Sequence, residues 1–77
     1  MKKLFIRHDD METLERYLHN LEKATRYYYN VYGLHRIDSH KNEIALEVSE
    51  YMLAAVLNLC DLVADKMNIC PEWEAVD

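Results

Sequence analysis

The sequence predicts an all-α fold: an antiparallel helical hairpin, with helices near residues 10–32 and 40–69, pairing with a second copy into a four-helix bundle. Three observations carry that expectation. Apolar residues from Met11 to Tyr32 recur at alternating intervals of three and four, the period of one helix face. Residues 43–69 form a stretch of 27 with neither Gly nor Pro. The chain's single glycine, Gly33, and a short polar segment to Asp38 separate the two runs, and short links favour antiparallel neighbours.

Residues 1–8, MKKLFIRH, read as an N-terminal arm, either strand-like or irregular. The apolar triplet Leu4–Ile6 after Lys2-Lys3 is too short for a signal peptide. The first helix starts at Asp9, where Asp as N-cap and Glu12 three residues later resemble a capping box. Its seam is Met11, Leu14, Leu18, Leu21, Thr25, Tyr28 and Tyr32, widened by Tyr17, Ala24 and Val31 into a bundle face. Ion pairs fit at i,i+4 between Glu12 and Arg16, Glu15 and His19, and Glu22 and Arg26. Gly33 is placed where a left-handed residue closes a helix, with Leu34 folding back.

Asp38 or Ser39 can cap the second helix. Two apolar seams run along it. One is Ala45, Val48, Met52, Ala55, Leu59, Leu62 and Ile69. The other is Leu46, Leu53, Val56, Cys60, Val63 and Met67. The acidic line Glu43, Glu47, Glu50, Asp61 and Asp65, with Asn58, is the polar remainder, and Pro71 ends the helix. Residues 70–77 form a tail that holds Trp73.

One domain, residues 1–77, is all this length allows, and it lies near the lower limit for a self-sufficient core. One neighbouring helix covers one seam of helix two. The other seam then calls for a second copy, with Val48, Met52, Leu53, Val56, Leu59, Cys60 and Val63 as the candidate dimer interface. The apolar run Tyr51–Ala64, broken by Asn58 and Asp61, is too short to span a membrane. On a common helix Cys60 and Cys70 are about 15 Å apart, too far to bridge. Free thiols suit a reducing compartment, so the expected location is the cytoplasm.

Net charge is −5, but unevenly spread: residues 1–42 hold eight Lys/Arg and six Asp/Glu, residues 43–77 one Lys and eight Asp/Glu. The acidic half argues against nucleic acid there. Glu15, His19 and Glu22, and likewise Glu43, Glu47 and Glu50, align at i, i+4 and i+7 outside the apolar seams. They read as solvated, ion-paired faces, and His35, His40 and Glu43 as loop and cap residues. No metal, cofactor or catalytic residue is expected. Cys60 lies among apolar residues that quiet a thiol, and one glycine cannot build a phosphate-cradling loop.

The leading expectation is therefore a non-enzymatic protein–protein interaction or regulatory protein, acting as a homodimer on a protein partner not named by the sequence. Its candidate contacts are Arg16, Asn20, Lys23, Arg26 and Tyr27 on the outer face of helix one, with Tyr29 on the flank and Trp73 in the tail. Cations mixed with Asn and Tyr also suit phosphates and unpaired bases. The predicted architecture resembles the Rop-type dimeric helical hairpins, which bind RNA through one pair of helices. That resemblance implies the alternative, a nucleic-acid binder using the same basic face. Ser49-Glu50-Tyr51-Met52-Leu53 falls where the helical sporulation phosphatases carry Ser-Gln-Glu-Leu-Asp. Leu53 replaces the defining Asp, so that activity is not carried over.

Overall fold

In the computed structural model, residues 2–30 and 34–76 are described. Their elements in chain order are β1 (Lys2–Arg7), α1 (Met11–Tyr29), β2 (His35–His40), β3 (Glu43–Val48), α2 (Glu50–Met67) and β4 (Glu72–Val76). This is an α+β fold, not an all-α hairpin, and no four-helix bundle is built from it. The strands form one sheet in the order β2-β3-β1-β4, every neighbouring pair antiparallel. The βαββαβ order is the split βαβ arrangement called ferredoxin-like.

The largest correction concerns residues 40–49, expected to be helical. His40 ends β2, Lys41-Asn42 turns, and Glu43–Val48 is a strand. Asn42 sits at φ 64, a left-handed conformation that Asn tolerates better than most residues. Ile44, Leu46 and Val48 are buried toward the helices, while on the other face Glu43 and Glu47 stay half-buried on either side of the small, buried Ala45. That is the period-2 alternation of a strand. The residues assigned to an arm are the central strand β1, which pairs Leu4 with Leu46 and Ile6 with Ile44 on one side. On the other side it pairs Ile6 with Trp73 in β4, the segment assigned to the tail.

The helix boundaries shift as well. Asp10, not Asp9, is the N-cap of α1, accepting from the Glu12 N–H at 3.2 Å and the Thr13 hydroxyl at 2.7 Å. Asn30 closes α1 at φ 58; the Gly33 cap and the seam positions Val31 and Tyr32 lie outside the described residues. Ser49 is the N-cap of α2, in place of Asp38 or Ser39. Asn68 ends it at φ 56, three residues before Pro71.

The core lies between the helices and one sheet face. Leu14, Tyr17, Leu18 and Leu21 of α1 meet Val56, Leu59, Cys60, Val63 and Ala64 of α2 over Leu4, Ile6, Ile44, Leu46 and Val48. The Tyr17 hydroxyl, fully buried, donates to the Cys60 carbonyl at 2.8 Å. The sheet is thus the surface that the second seam of α2 requires. Val48, Val56, Leu59, Cys60 and Val63, assigned to a dimer interface, are buried within one chain, with Met52 packed against them and Leu53 half-buried. Most of the seam that calls for a second copy is therefore covered within one chain.

Candidate functional site

Two surfaces are candidates for a functional site: the sheet face away from the helices, and the outer groove between α1 and α2. On the sheet face, cross-strand register places Lys3 beside Glu47, Phe5 beside Ala45 and Glu74, and Arg7 beside Glu43 and Glu72. Arg7 donates from Nε to Glu43 and lies 3.9 Å from Glu74, with its guanidinium 6.0 Å from the Phe5 ring centre. His35 Nδ1 is 3.5 Å from Glu47. Sheets that bind single-stranded nucleic acid present aromatic platforms among cations. Here Phe5 lies between Ala45 and Glu74 with Arg7 near its ring, and opposite charges face each other across the strands. Lys3, Arg7 and His35 on this face thus each stand beside a carboxylate.

The groove is different. It encloses about 880 Å³ and is lined by Asn20, Lys23, Ala24, Arg26, Tyr27 and Tyr28 of α1 with Leu62, Val63, Lys66 and Met67 of α2. The α1 residues reach it because Leu14, Leu18, Leu21 and Thr25 turn inward, leaving positions 20, 23, 24 and 27 beside α2 or toward solvent. The Asn20 amide lies 3.3 Å from the Met67 sulfur and ties the helices at one point. Tyr27 is 82% exposed and meets Tyr28 edge-on, ring centres 4.9 Å apart. Tyrosine is favoured in protein interfaces, and α1 leaves this pair open while it buries its other face.

Of the expected partner-binding residues, Asn20, Lys23, Arg26 and Tyr27 converge on this groove. Arg16 and Tyr29 are exposed on α1 outside its lining, and Trp73 is half-buried on β4 against the core. The groove also takes in Leu62, Lys66 and Met67, which the sequence pattern does not single out. Leu62 and Met67 belong to its apolar seams; Lys66, the one cation of the acidic half, is the available signal. Glu15, placed with His19 on α1, instead takes both terminal nitrogens of Arg36 on β2, at 3.0 and 2.9 Å.

A second groove, of about 500 Å³, lies where Arg7 and His8 meet the β2–β3 turn and Cys70. Cations and the carboxylates of Asp9, Glu43 and Glu72 are interspersed there. Among the described residues no three His, Cys, Asp or Glu side chains gather so as to hold a metal ion. Cys60 is buried, and burial pushes its thiol up to about 11, which keeps it protonated and unreactive. Burial likewise raises the Tyr17 phenol far above its ordinary value. At the start of α1 the Thr13 hydroxyl lowers the Asp10 carboxyl. Among the described residues no helix is long and apolar enough to cross a membrane. No protein-family model matches this sequence, and no curated protein is similar to it.

Proposed function

We propose that the protein is a small non-enzymatic interaction module that binds a partner protein through the α1/α2 groove. One observation supports this above the others: the exposed Tyr27–Tyr28 pair stands at a concave surface with the aliphatic side chains of Leu62, Val63 and Met67. Concave apolar surface with tyrosine at its margin is where binding energy concentrates in protein interfaces. The groove is open, and its lining side chains fill space, stack and carry positive charge, which suits docking. The same cations keep the alternative of a nucleic-acid contact in view, but phosphates gain nothing from an aliphatic floor.

The experiment is affinity isolation from the native host with the tagged protein and with Tyr27→Ala/Leu62→Ser, both shown to be folded by far-ultraviolet circular dichroism. A protein retained by the parent and lost with the variant is the expected result. A bound set identical for both refutes the groove as the binding surface. Recovery of nuclease-sensitive material in place of protein would turn the assignment to nucleic acid.

A further inference from the structure

We infer that the occupant of the α1/α2 groove is an acidic amphipathic helix presented by the partner. The inference rests on the docking function proposed above and adds the chemistry of what docks.

Charge carries the first part. The chain as a whole has 14 Asp/Glu against 9 Lys/Arg, yet Lys23, Arg26 and Lys66 line this groove with no carboxylate among its lining residues. The groove beside the β2–β3 turn, by contrast, has Asp9, Glu43 and Glu72 in its wall. Cations that line a groove without carboxylates complement an acidic ligand at close range and disfavour a basic one.

Shape carries the second. Between the cations the floor is Ala24, Leu62, Val63 and Met67, and methionine adapts to varied apolar partners. From Asn20 to Tyr28 the α1 wall runs about 12 Å at the helical rise. An amphipathic helix that anchors at i, i+3 or i+4, and i+7 presents about 10.5 Å of apolar edge, which matches that wall. An extended or folded surface with charge alone would leave the floor wet. The acidic helix α2 of a second copy does not supply the match: its exposed positions are Glu50, Tyr51, Ala54, Asn58, Asp61, Asp65 and Lys66, acidic but without an apolar row.

The test uses the whole protein, isotopically labelled, titrated with helical peptides of about 14 residues that share one row of Leu and Phe anchors. Their flanks carry Glu, Gln or Lys. The Glu-flanked peptide is expected to shift the backbone amides of residues 20–28 and 62–67. It should bind roughly tenfold more tightly than the Gln-flanked one, with the margin shrinking as salt rises. Lys23→Glu with Lys66→Glu should reverse the order so that the Lys-flanked peptide binds best. Should that variant not fold, the salt series on the parent decides. Equal binding of the Glu and Gln peptides at the groove overturns the acidic partner while leaving the docking surface standing. No groove shifts with any of the peptides overturns both. Tighter binding of a single-stranded RNA oligonucleotide at the same amides, or concentration-dependent self-association through them, also overturns the inference.

Discussion

Asn42→Ala separates the strand architecture from a continuous helix by the sign of one stability change. Asn42 occupies φ 64 in the turn between β2 and β3. A residue with a Cβ in that region costs about 1–2 kcal/mol relative to the right-handed conformation. The asparagine side chain relieves part of that cost through local hydrogen bonding, which alanine cannot do. Asn42→Ala should therefore destabilise the protein by about 1 kcal/mol. For a domain of this size that corresponds to a fall of about 4–8 °C in Tm. If residues 40–69 were one helix, the same change would replace a moderate helix former with the best one and raise stability by roughly 0.5 kcal/mol. Asn42→Gly is the control. Gly meets the left-handed requirement without steric cost, and its larger unfolded-state freedom offsets that gain, so the change stays within about 0.5 kcal/mol. The assay is urea unfolding followed by circular dichroism, with the slope of the transition unchanged. The backbone bond from the His8 N–H to the Asn42 carbonyl, 3.1 Å long, is the same in all these variants. A midpoint that rises with Ala refutes the turn.

Further outcomes can be measured on the same protein. Leu46→Ala, at a fully buried β3 position, should cost about 2–5 kcal/mol in urea unfolding. Glu47→Ala on the opposite face should cost under about 1 kcal/mol. Tyr17→Phe removes the buried bond to the Cys60 carbonyl and should cost about 1 kcal/mol; the fold survives because that carbonyl remains within α2. Under native conditions iodoacetamide should modify exposed Cys70 and leave buried Cys60 intact, with both labelled in denaturant, as mass spectrometry would show. Stability should decline as pH rises past 9.0, the ordinary value of the Cys60 thiol. The unfolded chain releases that proton there, whereas burial holds the folded-state value at about 11, so proton release favours unfolding across that window. A flat unfolding midpoint from pH 8 to 10, read in a Cys70→Ser background, would contradict the burial of Cys60.

The first helix was legible from its period: Leu14, Leu18, Leu21 and Thr25 of the seam are buried and flanking Tyr17 joins them, although Tyr28 of the same seam is exposed. The later part of α2 was legible for the same reason. Residues 43–48 were not, and the cause is arithmetic. Glu43 and Glu47, like Ile44 and Val48, are four apart, and a separation of four keeps two side chains on one face of a helix and also on one face of a strand. Only the two-residue step from Ile44 to Leu46 distinguishes them. Ala, Leu and Glu are strong helix formers and weak strand formers, so local preference favoured the helix that tertiary pairing with β1 overrides. Strand β2 gave no apolar signal because it is an edge whose residues are all exposed. Its bulge leaves Ile37 unopposed between Arg36 and Asp38, and bulges at edges discourage further pairing. Of the groove, the α1 half could be read from an outward stripe. The α2 half could not, because apolar residues assigned wholly to packing give no sign that part of their surface stays open.

Placing β1 at the centre of the sheet also sets a timetable for folding. Its neighbours are residues 43–48 on one side and 72–76 on the other, so on the ribosome β1 emerges with neither partner made. The hairpin of β2 and β3 can form early from contacts close in sequence. The second flank of β1 waits for Trp73 and Val76 to clear the exit tunnel. Until then Leu4 and Ile6 belong to a strand with an open edge, the kind of surface that recruits other chains. Translation arrested before residue 72 should therefore yield a nascent chain that engages holdase chaperones, and extension past residue 76 with a flexible linker should release it.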